Sequence, residues 1–235
     1  MCFVAAAEAK LPDKGCLYIG DFKVKNKEAY GVFLGMGFIC MREAKPLYIT
    51  ASHALRDLST AVSAPKEDLS EALARTNARL VQIHTPSNTI PIVKYVPHGL
   101  DPRGADAALA TADVAICLLK NEPAKIKTLP IGKEVKIGEK CYLFAKLKGR
   151  KEIQFLPVAI TEVSDLEIRY LFLEADPNPA GTSGAPIINS DGEVVGIHTG
   201  HSRQVVNSKA TVCGFGPSCL VLEKLIEAVG KKLAK

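Results

Sequence analysis

The chain has 235 residues, enough to bury a good core but hardly more than one compact unit. Its net charge is +5, yet aromatics make up only 6% of it and tryptophan is absent, which argues against sequence-specific reading of RNA by base stacking. The longest apolar run, Ala29 to Met41, is too short for a membrane span and contains three glycines.

The start, MCFVAAAEAK, has no basic lead and too short an apolar stretch for a signal peptide. Strand patterns then recur, separated by Gly, Pro, Asn and Asp turns: Tyr30–Phe38, Leu47–Thr50, Leu80–His84, Ile90–Val96, Ala112–Leu119, Cys141–Lys146, Ile153–Ile160, Tyr170–Glu174, Ile187–Asn189, Val194–His198 and Thr211–Phe215. Two segments have helical spacing. Pro65 to Arg79 carries Leu69, Ala72 and Leu73, with a proline near its start. Leu220 to Ala234 places Leu220, Leu222, Leu225, Ile226 and Val229 partly on one face and ends in lysines that suit the helix dipole.

The densest chemical signal is Gly181 to Gly200, GTSGAPIINSDGEVVGIHTG. Small residues around Ser183 let the backbone bend sharply, so that a hydroxyl is presented and nearby N–H groups converge. A serine hydroxyl needs a base, and the base needs an orienter. Of five histidines, His53 in LYITASHAL stands where a short buried strand gives way to a helical turn. Asp113 opens the apolar strand ADVAICLLK, and an aspartate there is expensive to bury unless an imidazole N–H pairs it. Asp101 and Asp106 lie in a Gly/Pro/Asp loop with no strand to fix them.

The order His53, Asp113, Ser183, set in TASH, ADVAICLL and GTSGAP, resembles the chymotrypsin-like peptidases, in which the triad follows that chain order. The resemblance implies an all-β fold of two antiparallel six-stranded barrels, with a C-terminal helix and a helical insertion after the histidine. The barrels would span residues 16–120 and 126–215, and the terminal helix 217–235. It implies a serine endopeptidase in which His53, Asp113 and Ser183 are catalytic and the N–H groups of Gly181 and Ser183 form the oxyanion hole. No metal or cofactor is expected, since no Cys-x-x-Cys pair or Cys/His cluster is present.

Seven cysteines, an odd number, several inside apolar strands, fit free thiols in a reducing compartment better than the disulfides of secreted branches. A cytoplasmic setting follows, that of a host cell if the protein is viral. Thr182 stands where secreted zymogens of this fold carry an aspartate that receives a freed N-terminus, so activation by trimming is not expected. His198, at the end of the strand lining the primary specificity pocket, resembles the 3C-like serine proteases of positive-strand RNA viruses, of the sobemovirus and arterivirus kinds. Those process polyproteins and cut after Glu or Gln. In such a pocket a protonated histidine would slightly favour Glu. Asn178 stands where that branch often has threonine; Thr199, Gly200 and Asn207 complete the expected substrate-binding set.

The alternative within the fold is the HtrA-like branch of cellular proteases, with small apolar specificity, which NPAGTSGAPIINSDGEVVGI also suits. An alternative of another class is a catalytically silent scaffold or RNA-binding module. A mutated triad would signal it, and all three positions are intact; the basic runs Lys146 to Lys151 and Lys231 to Lys235 read as solvated faces, with weak, nonspecific phosphate contact as the functional alternative.

Overall fold

The computed structural model describes residues 9–24, 31–55, 69–96, 113–206 and 209–234. Six antiparallel strands close into a first barrel: β1 (Tyr18–Val24), β2 (Gly31–Arg42), β3 (Lys45–Thr50), β4 (Thr76–Gln82), β5 (Thr89–Tyr95) and β6 (Ala115–Leu119), in the order β1-β2-β3-β6-β5-β4. A second sheet holds β7 (Lys140–Ala145), β8 (Gln154–Val163), β9 (Glu167–Phe172), β10 (Pro186–Ile188), β11 (Val194–Ile197), β12 (Gly200–Val206) and β13 (Lys209–Pro217). It has seven strands where six were expected, in the order β11-β10-β7-β8-β9-β13-β12. The sheet curls, so that Gly196 bridges Ser218 and the Thr199 N–H donates to the Phe215 carbonyl. This is the two-barrel, chymotrypsin-like architecture.

The middles of β2 (Met36–Cys40) and β3 (Pro46–Ile49) and most of β6 are apolar because they are buried on two sides. Tyr48, Ile39 and Cys117 point into the first barrel. Their neighbours Leu47, Ile49, Phe38, Cys40 and Ile116 point the other way, into a core shared with the second sheet. A period of two therefore serves two cores at once. Helix α2 (Cys219–Leu233) closes the second unit by burying Val221, Leu222, Leu225, Ile226 and Val229, and Lys45 donates to the Leu233 carbonyl at its C-terminal end.

The helix expected over Pro65 to Arg79 is shorter. Helix α1 runs Leu69–Ala74, residues 65–68 lie outside the described chain, and Thr76 to Arg79 belong to β4. Pairing overrides local helical spacing there: β4 matches β1 over seven residues, from Val24↔Thr76 to Tyr18↔Gln82. The Thr76 hydroxyl donates to the Leu73 carbonyl and ends the helix.

The six described cysteines, all but Cys2, are free and buried. Burial pushes the thiols of Cys40, Cys117 and Cys141 up to about 12. Native protein at neutral pH is therefore expected to resist iodoacetamide at these three sites, and denaturation without reductant is expected to expose all six described thiols. Mass spectrometry of the alkylated chain checks this; a pair that stays unmodified until reduced would contradict it.

Candidate active site

The first barrel supplies two of the three expected catalytic groups through one pairing. Strands β3 and β6 run antiparallel in the register Thr50↔Ala115, so the exit of β3 lies beside the entrance of β6. His53 follows β3 in a segment helical over residues 52–55, and Asp113 precedes β6. The His53 Nδ1 pairs with Asp113 Oδ2. Asp113 Oδ1 accepts from the His53 backbone N–H at 2.7 Å and from the Ser52 hydroxyl at 2.6 Å. Burial works to raise the Asp113 carboxyl, but His53, Ser52 and the backbone N–H together outweigh it and hold it below its ordinary range. It is an anion at neutral pH.

Ser183 comes from the second unit, on the turn ahead of β10. The His53 Nε2 lies 2.8 Å from its Oγ, although the two residues are 130 apart in sequence. The turn is docked against the first barrel: the Met36 N–H donates to the Ser183 carbonyl at 2.7 Å. Gly184 makes this approach feasible. Its φ is +85°, and a Cβ there would lie 2.1 Å from the Met36 carbonyl oxygen and 2.4 Å from Thr50 Oγ1.

The turn organises itself. Thr182 is fully buried and its hydroxyl donates to the Pro179 carbonyl at 2.7 Å. The N–H groups of Thr182, Gly184 and Ala185 donate to Pro179, His198 and Thr182 carbonyls. Those of Gly181 and Ser183 have no hydrogen-bond partner among the described residues. Two free donors beside an activated hydroxyl are what a developing oxyanion requires.

His198 is 1% exposed and continues from β11, with its backbone bonded to Gly184 and Ala185 just past the serine. Its Nδ1 lies 2.5 Å from the Tyr170 hydroxyl, and His201 stacks on the ring with centroids 6.0 Å apart. Burial holds the Tyr170 hydroxyl protonated, so it donates to Nδ1 and leaves the proton of His198 on Nε2. Burial first, then His201 and His53, push the His198 imidazole down to about 3. It is neutral at working pH, and the charge expected to favour Glu over Gln is missing. Tyr170 in turn needs Gly214, its partner across β9 and β13: a Cβ there would lie 2.4 Å from the tyrosine ring.

The remaining expected substrate-binding residues fall as follows. Asn178 is exposed, and its Oδ1 accepts from Ala180 N–H in the turn before the serine. Thr199 is half-buried and both its N–H and its hydroxyl face the Phe215 carbonyl. Gly200 opens β12, where only a glycine clears the Phe215 ring. Asn207, Asp101 and Asp106 lie outside the described residues. Sequence reading missed Ser52, Tyr170 and Gly214. Only Ser52 carried a signal, as the neighbour of His53; the other two depend on the register of β9 against β13. Among the described residues no group of three or more Cys, His, Asp or Glu side chains could hold a metal, and no helix is long and apolar enough to cross a membrane.

The sequence profile of the trypsin-like peptidase domain family matches residues 35–197, and the chain belongs to that family. It carries a serine endopeptidase domain. No curated protein sequence matches it. Among solved structures, the serine endoprotease from Yersinia pestis superposes with a TM-score of 0.56 at 14% identity, over 93% of this chain and 64% of that one. At this identity the likeness is one of fold, and this chain spans less than two thirds of that protein's length.

Proposed function

We propose that the protein cleaves polypeptides after Gln or Glu, as a viral polyprotein-processing enzyme of the 3C-like kind acting in the host-cell cytoplasm. In this reading His53 takes the Ser183 proton, Ser183 attacks the scissile carbonyl, and Asp113 orients the imidazole and steadies its cation. The N–H groups of Gly181 and Ser183 hold the oxyanion, each worth roughly 3 kcal/mol of barrier. The 2.8 Å contact between His53 Nε2 and Ser183 Oγ carries the mechanism. The specificity rests on His198, whose Nε2 proton has no acceptor among the described residues. A side-chain carbonyl on the substrate completes that bond. Because the ring is neutral, a carboxamide suits it at least as well as a carboxylate. The exposed basic turn at Lys148–Lys151 offers only weak, nonspecific phosphate contact beside this.

The likeness in fold to a bacterial serine endoprotease favours a second reading, a cellular HtrA-like enzyme that cuts after small apolar residues. A peptide library varied at the residue before the scissile bond separates the two. The first expects Gln and Glu, with the Gln-to-Glu ratio steady from roughly pH 6 to 8, where neither His198 nor a substrate glutamate titrates. His198→Leu and Tyr170→Phe should cut that selectivity by roughly tenfold or more, the worth of one unpaired buried donor. Phosphonylation of Ser183 by a small fluorophosphonate, with loss of fluoride, should persist in both. A wild-type preference for Val or Ala would establish the second reading instead.

A further inference from the structure

We propose that Ser52 is a positioning residue that sets the Asp113 carboxylate against His53, an inference resting on the catalytic reading of His53, Asp113 and Ser183. The two carboxylate oxygens have divided duties. Oδ2 faces the His53 ring. Oδ1 is held by the Ser52 hydroxyl at 2.6 Å and by the His53 N–H at 2.7 Å. The Ser52 N–H also donates to the Asp113 backbone carbonyl at 3.2 Å. Ser52 thus grips the aspartate twice, once by its main chain and once by its side chain.

The main-chain grip belongs to any residue at that position, whereas the side-chain grip belongs to a hydroxyl. Carboxylates rotate readily about their terminal torsion. A second donor on Oδ1, reaching it from a different direction than the His53 N–H, helps to fix the plane and to keep Oδ2 on Nδ1. The hydroxyl also draws part of the anion's charge toward Oδ1. Its removal should leave a carboxylate that turns more freely and holds an imidazolium more strongly. The base would then be poorly aimed at high pH and would stay protonated to a higher pH.

The test follows the inactivation rate of Ser183 by diisopropyl fluorophosphate against pH, in the full chain, for wild type, Ser52→Ala and Ser52→Thr. This probe has no side chain for the specificity pocket, so the reading of His198 does not enter. Ser52→Ala is expected to react about tenfold more slowly on the alkaline plateau, the worth of one hydrogen bond to a charged group. Its acid limb should move to higher pH, and Ser52→Thr should restore both rate and limb. If the alanine variant does not fold, Ser52→Cys, with a weak donor of similar size, takes its place. A Ser52→Ala rate and limb equal to wild type would overturn the proposal and leave the catalytic reading intact. A slow variant with an unmoved limb and no rescue by threonine would overturn it too, as a purely structural effect. Failure of the wild-type chain to be modified at Ser183 would overturn the catalytic reading and the role of Ser52 together.

Discussion

Replacing Ser183 by alanine is expected to lower kcat by about six orders of magnitude, the loss that follows removal of a triad nucleophile elsewhere. Stability should scarcely change. The Ser183 side chain is half-exposed on its turn, and the bond that docks this turn to the first barrel uses the residue's carbonyl, which alanine retains. Hydrolysis of the best library peptide, followed with a thermal melt of the same sample, checks both halves. A folded Ser183→Ala enzyme with wild-type turnover would remove the serine mechanism altogether.

Asp113→Asn is expected to fold and to lose about four orders of magnitude in kcat. An asparagine can keep Oδ1 toward the Ser52 hydroxyl and the His53 N–H, both donors. That choice turns its amide nitrogen to His53 Nδ1, where it must donate. The ring then carries its proton on Nε2, facing Ser183, and cannot accept the hydroxyl proton. The defect lies in the tautomer rather than in the fold, so activity should recover partly at high pH, where the serine hydroxyl ionises more readily. Kinetics of the purified variant over an alkaline pH series test this; near-wild-type turnover at neutral pH would show that Asp113 does not orient the base.

What could be read beforehand depended on whether a feature was local. The buried runs around Leu47–Thr50 and Val114–Leu119 announced strands because they face two cores, and the histidine and aspartate sit at their ends. Strand β1 escaped notice because Gly20 and the buried Asp21 interrupt its apolar pattern; Asp21 is tolerated only through Arg79, its neighbour across the sheet. Strand β12 escaped because GHSRQVV is largely polar and exposed, held in register by β13 alone. The same limit hid Tyr170. A hydroxyl that reaches a histidine 28 residues away across a glycine gap leaves no mark on either segment by itself. The preference for Glu over Gln rested on a protonated His198, and depth of burial, which sequence does not display, decides that against the charge.

The bond from the Met36 N–H to the Ser183 carbonyl ties the serine turn of the second unit to the barrel that carries His53. In the proposed mechanism nucleophile and base are carried on separate halves of the chain, so that each half alone would hold an inert fragment of the machinery. On that mechanism a nascent chain with one barrel complete would not cut its neighbours, however concentrated. The seam thus works as a built-in safety interlock: on the proposed mechanism, hydrolytic power arrives only once the two halves have met across their shared core.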